Sequence, residues 1–133
     1  MNLLHTLVRF SRSHRKGSPT VEFVMVIPFF ILMALVVWQM AVAGMAVMDT
    51  QAALRDSVRV AAMTQNEDEA SQQAYNSFGE NGSYRISDLE VDIGDENAVV
   101  RATTEVDLIF LNVTTPIQFE HEAEAPILET VLD

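Results

Sequence analysis

From Phe23 to Met48 the chain is apolar except for one uncharged polar side chain, Gln39. An apolar helix needs about 20 residues to cross a hydrocarbon core of about 30 Å, so this run predicts a membrane-spanning helix with length to spare for tilt. Pro28 deprives the Val24 carbonyl of its partner, which predicts a bend or local melting near the helix start. Helical spacing continues past Met48. Asp49 to Gln65 holds no Pro or Gly, Val47, Leu54, Val58 and Ala61 fall near one stripe, and Arg55, Asp56 and Arg59 supply a polar face. A helix from Glu22 to Gln65 would be about 66 Å long, about half of it beyond the hydrocarbon, serving as anchor and as spine for the C-terminal segments.

The pattern then shortens. Asn66 followed by Glu67, Asp68 and Glu69 reads as a cap with acids in a first turn, and Ala70 to Phe78 as a short second helix with Ala74, Tyr75 and Phe78 at compatible spacing. Gly79 to Ser83 ends it, with Asn81-Gly82 as a turn. Three period-two segments come next. Leu89, Val91 and Ile93 oppose Asp88, Glu90 and Asp92; Val100, Ala102, Thr104, Val106 and Leu108 oppose Arg101, Thr103, Glu105 and Asp107. In the third, starting at Ile117, Phe119, His121, Ala123 and Ala125 oppose Gln118, Glu120, Glu122 and Glu124. Gly94 to Asn97 suits a short hairpin and Asn112 to Pro116 a longer connection.

These elements predict an α+β chain: a long N-terminal membrane-spanning helix extending into a small ectodomain, packed against a C-terminal three-stranded antiparallel sheet. The expected organisation is a basic leader over 1–17, a transmembrane helix over 18–48, its extramembrane continuation over 49–65, a short helix and linker over 66–83, and the antiparallel meander over 84–133.

Charge assigns sides to this plan. The chain has 8 basic and 19 acidic residues, and four of the basic ones, Arg9, Arg12, Arg15 and Lys16, lie in the acid-free first 17 positions. The positive-inside rule therefore puts the N-terminus in the cytoplasm and the residues after Met48 across the membrane. Loss of residues 1–17 would take the formal charge from −11 to −15. So acidic a remainder lacks the basic stripe of a nucleic-acid binder.

Glu22 breaks the simple anchor pattern, because a carboxylate at the mouth of an apolar run is costly unless paired. A cut after Gly17 would supply a partner: Ser18 would open the new chain with a free ammonium and Glu22 would be its fifth residue. The basic leader, Gly17-Ser18, Glu22-Phe23 and the apolar helix together resemble the TadE-like minor pseudopilins of the Tad (Flp-type) branch of type IV pilus systems. Mainstream type IV pilins usually open the mature chain with Phe or Met, and Ser18 departs from that toward the Tad branch. The resemblance implies a bacterial inner-membrane protein without enzymatic activity of its own, processed by a prepilin peptidase between Gly17 and Ser18. It further implies assembly through Glu22 and Phe23 with other pilins or pseudopilins and the pilus assembly machinery, and in a pilin-like helix Pro28 is a flexible point for extraction from membrane lipid.

Two other readings of the same residues stand beside it. Gly17 breaks the leader, Ser18 caps the helix, Pro19 suits its first turn and Glu22 complements the helix dipole, giving an unprocessed single-pass anchor whose acidic domain binds another envelope protein. Alternatively, Ala41-Val42-Ala43 before Gly44 is a signal-peptidase site, although the apolar run is longer than the usual signal core. The small residues there also permit close helix packing.

Candidate chemistry is sparse. With no Cys, disulfides, thiolate catalysis and thiolate metal sites are excluded. No Gly-rich phosphate loop is present, no cofactor is expected, and His121, outside the leader, is read as a packed or rim histidine. The acidic sheet face brings like charges onto facing strands, which repel or recruit a divalent cation such as Ca²⁺; lacking EF-hand spacing, it reads as a solvated face.

Overall fold

The structure is a computed structural model and describes residues 18–108 and 116–127. It contains α1 (Ser18–Thr64), α2 (Glu67–Ser77), β1 (Tyr84–Ile93), β2 (Asn97–Val106) and β3 (Ile117–Pro126). The chain divides into two units, Met1–Ala34 and Leu35–Asp133. In the first, the described residues are the opening of α1, helical from Ser18 and still helical through Pro28. The expected local melting at Pro28 is absent. A helical proline frees one carbonyl and leaves the neighbouring hydrogen bonds to hold the turn. Every side chain from Pro19 to Ala34 is exposed, and the most apolar 18-residue window of α1 has a mean hydropathy of 2.5.

In the second unit the rest of α1 is covered along one stripe. Val42, Ala46, Thr50, Ala53, Leu54, Ser57, Val58 and Ala61 are buried, a spacing of three and four that keeps them on one side of a helix. Val47, expected in this stripe, sits half-buried at its edge. The stripe is rich in small residues, so α1 approaches the sheet and α2 closely. Leu54, Val58 and Ala61 pack with Ala70 of α2 and with Ala98, Val100 and Ala102 of the central strand. Val42, Ala46 and Ala53 pack with Phe78, Tyr84 and Val106.

A two-residue link reverses the chain between the helices. Gln65 takes a left-handed φ of 51° and donates its N–H to the Ala61 carbonyl at 2.9 Å, closing α1 in the manner usually left to glycine. Asn66 then caps α2, its side chain accepting from the Asp68 and Glu69 amides at 3.0 and 3.3 Å. That cap agrees with expectation, and so does the burial of Ala74 and Phe78; the exposure of Tyr75 does not. Ala70, Ala74 and Phe78 are buried while Tyr75 is 53% exposed, because four-residue steps stay on one side and Tyr75 is turned about 100° from Ala74.

The sheet has the order β1-β2-β3, antiparallel throughout. On β2, Ala98, Val100, Ala102, Thr104 and Val106 are all buried, matching the expected alternation up to Val106. Leu108, expected to extend it, lies outside the strand. β1 begins earlier than its alternation suggests. The register slips between Ile86 and Asp88, so that Tyr84 and Ile86 share the inner face with Leu89, Val91 and Ile93 although their parity is opposite. Ser87 is the extra residue of this bulge, and its Oγ donates to the Thr103 carbonyl at 3.1 Å. The β1–β2 hairpin closes as expected, Gly94 N–H donating to the Asn97 carbonyl at 2.9 Å. The Asn112 to Pro116 connection lies largely outside the described residues.

Candidate functional site

The residues singled out at the helix entry are positioned by α1 alone. Ser18 opens the helix, and Glu22 comes four residues later, on the same face and about 6 Å along the axis. Gly17 lies outside the described residues. Glu22 is exposed and Phe23 is 69% exposed. Pro28 stands inside the helix. The entry therefore presents a carboxylate on an exposed, otherwise apolar stretch of helix.

Deeper along α1 a polar set appears that the residue pattern did not reveal. Asp49 accepts a hydrogen bond from the Tyr84 hydroxyl at 2.5 Å, where Tyr84 is only 4% exposed and packs edge-on against Phe78 with ring centroids 5.8 Å apart. Gly79 completes the node, since a Cβ there would come within 2.8 Å of Asp49 Oδ2. The Asp49 carboxylate and burial together raise the Tyr84 hydroxyl above its ordinary pKa, the hydrogen bond to Asp49 contributing most. At the next residue, Thr50 Oγ1 lies 2.7 Å from the Ala46 carbonyl and 2.6 Å from Thr104 Oγ1. Its one proton goes to the carbonyl, so Thr104 is the donor of the pair. Ser57 Oγ donates to the Ala70 carbonyl at 2.7 Å. These contacts are pins between helix and ectodomain. The available signal was position: Asp49, Thr50 and Ser57 are polar residues within an otherwise small or apolar stripe.

The outer sheet face differs from an all-acid surface. Arg101 sits between Glu90 on β1 and Glu122 on β3 in the strand register, with its Nε 2.5 Å from Glu122 and Nη1 3.7 Å from Glu90. Arg85 likewise bridges Glu105 at 2.8 Å and Asp107 at 3.3 Å. Thr103 separates Asp88 from Glu120 across the strands. The expected repulsion is therefore relieved by two arginines and a neutral spacer. Among the described residues no group of 3 or more acids or histidines is arranged as a metal site.

On the inner side, a groove of about 610 Å³ runs between α1 and β3, with Arg55 and Arg59 above Ala123 and Ala125. His121 faces a smaller hollow beside it and is half-buried, in keeping with a packed or rim histidine. Its Nδ1 has no hydrogen-bond partner among the described residues.

Among the described residues one helix is long and apolar enough to cross a membrane, which fits a membrane anchor. The family comparison is more specific: the model described as TadE-like protein matches residues 17–59. The match covers about a third of the chain, from Gly17 through the helix to Arg59, and agrees with the resemblance to TadE-like proteins of Tad pilus systems. No curated protein and no solved structure matches the chain.

Proposed function

We propose that this chain is a minor pseudopilin, a non-catalytic component in the assembly of a Tad-type pilus. A prepilin peptidase removes the basic leader after Gly17, and before assembly the mature chain stands in the bacterial inner membrane with its N-terminus cytoplasmic and its C-terminal domain periplasmic. The observation that carries this reading is Glu22, a carboxylate on the bare apolar opening of α1, within a family match that begins at Gly17. An unpaired carboxylate is costly there. Processing would create an ammonium on Ser18 about 6 Å away along the axis, and in a bundle of helices the ammonium of a neighbouring subunit is an equally good partner. Loss of one member of a desolvated pair weakens the association that the pair supports.

The test separates processing from assembly. N-terminal sequencing of the protein from its native envelope should begin at Ser18; a start at Met1 would support the unprocessed anchor and a start at Gly44 the secreted form. Gly17→Leu should block shortening. Glu22→Ala should be inserted and shortened normally but should co-purify poorly with pilus components. Equal recovery with intact pili would leave Glu22 as a helix-terminal acid only.

A further inference from the structure

The bare and covered parts of α1 meet within one turn. Every side chain from Leu35 to Trp38 is exposed, as are those before it from Pro19, whereas Gln39 is half-buried and Val42 is buried. Gln39 Nε2 donates to the Asp107 carbonyl at 2.9 Å, and Val42 and Ala46 lie against Phe78, Tyr84 and Val106. The bare segment, Pro19 to Trp38, holds about 20 residues and covers about 30 Å of helix, the thickness of one hydrocarbon core. If the bilayer reached Met48, it would have to take in the end of the sheet at Val106 and Asp107, and open strand ends are not held in hydrocarbon.

On the reading of α1 as a membrane anchor, we propose that the membrane ends at Gln39, about nine residues before the apolar run does, and that the ectodomain rests there on the lipid headgroups. Among the described residues, the resting end includes Asp107, Leu108 and Ile117. Ile117 pairs with Val106 in the register and is 41% exposed, so its side chain is available to the interface. Trp38, 61% exposed, stands next to Gln39 at the depth where tryptophan rings prefer to sit. Asp107 does not oppose this placement, because Arg85 pairs with its carboxylate. Gln39 thus marks the surface, its amide held by the strand end that lies on it.

The chain's single Trp and lack of Cys make the depth measurable. The full chain would be reconstituted in phosphatidylcholine vesicles carrying a nitroxide quencher either near the headgroup or near the acyl-chain terminus. Trp38 fluorescence should fall at least about twofold more with the shallow quencher, as for an interfacial ring. With the boundary at Met48, Trp38 would lie about 15 Å deeper, near the midplane; stronger deep quenching overturns the proposed boundary. No quenching by either overturns the membrane-anchor reading itself. For the resting end, Ile117→Cys carrying an environment-sensitive fluorophore should be blue-shifted and quenched by the shallow nitroxide, while the same probe on Met63→Cys should stay aqueous. An aqueous signal at position 117 overturns the contact with lipid even if Trp38 is shallow.

Discussion

Gln65 holds a left-handed φ of 51° with a full side chain, a conformation that costs an L-residue about 1 kcal/mol and a glycine almost nothing. Gln65→Gly should therefore raise the thermal midpoint of the ectodomain, whereas Asn66→Ala, which removes the acceptor for two amides, should cost about 1 kcal/mol. Thermal unfolding in detergent reads both. Tyr84 supplies a pH dependence. Its folded-state pKa is raised beside Asp49, so its contribution is complete below the unfolded value of about 10 and is lost as pH rises through the folded value. Stability should fall above about pH 10, and Tyr84→Phe should reduce that fall while losing the hydrogen bond at neutral pH. The Asp49–Tyr84 pair was not legible in the sequence, because it joins residues 35 positions apart and neither belongs to a short motif.

Among the elements, legibility tracked periodicity. β2 alternates without interruption to Val106 and its face was readable residue by residue; in β1 the alternation was legible only from Asp88, because the bulge at Ser87 reverses the parity of Tyr84 and Ile86. The helical stripe of α1 was readable in Leu54, Val58 and Ala61. Thr50 and Ser57 were missed because hydroxyls read as surface until partners are known, here Thr104 and the Ala70 carbonyl. The helix–sheet hydroxyl pair gives a sharp prediction. Thr104→Val should cost little, since Thr50 keeps its bond to Ala46, whereas Thr50→Val leaves the Thr104 proton buried without an acceptor and should cost about 1–3 kcal/mol. Replacing both with valine should be less damaging than Thr50→Val alone, and a double-mutant cycle by thermal unfolding measures the coupling. On the outer face, Arg101→Ala should lower the thermal midpoint only slightly, and the loss should shrink in high salt.

For the whole molecule, the division between a basic, acid-free stretch over 1–17 and an acidic remainder sets the expected topology. A reporter placed after Asp133 should be active only on the non-cytoplasmic side, and activity in the cytoplasm would overturn the orientation. Ser18, Glu22 and Phe23 could be read from the sequence only as residue types in order along α1; Gly17 lies outside the described residues. The arrangement of the sheet over α1 was legible only as a need for a partner surface.

That arrangement has a consequence for how the protein comes into being. Because Val42 and Ala46 belong to the core around Phe78, Tyr84 and Val106, a fragment beginning at Asp49 would leave those three side chains uncovered and should aggregate where the full chain in detergent does not. The ribosome makes α1 before any strand, and β2 and β3 are the last described elements to emerge. On the proposed topology the sheet is therefore completed after α1 has been made and inserted, so that translocation would supply the template before the parts that must recognise it.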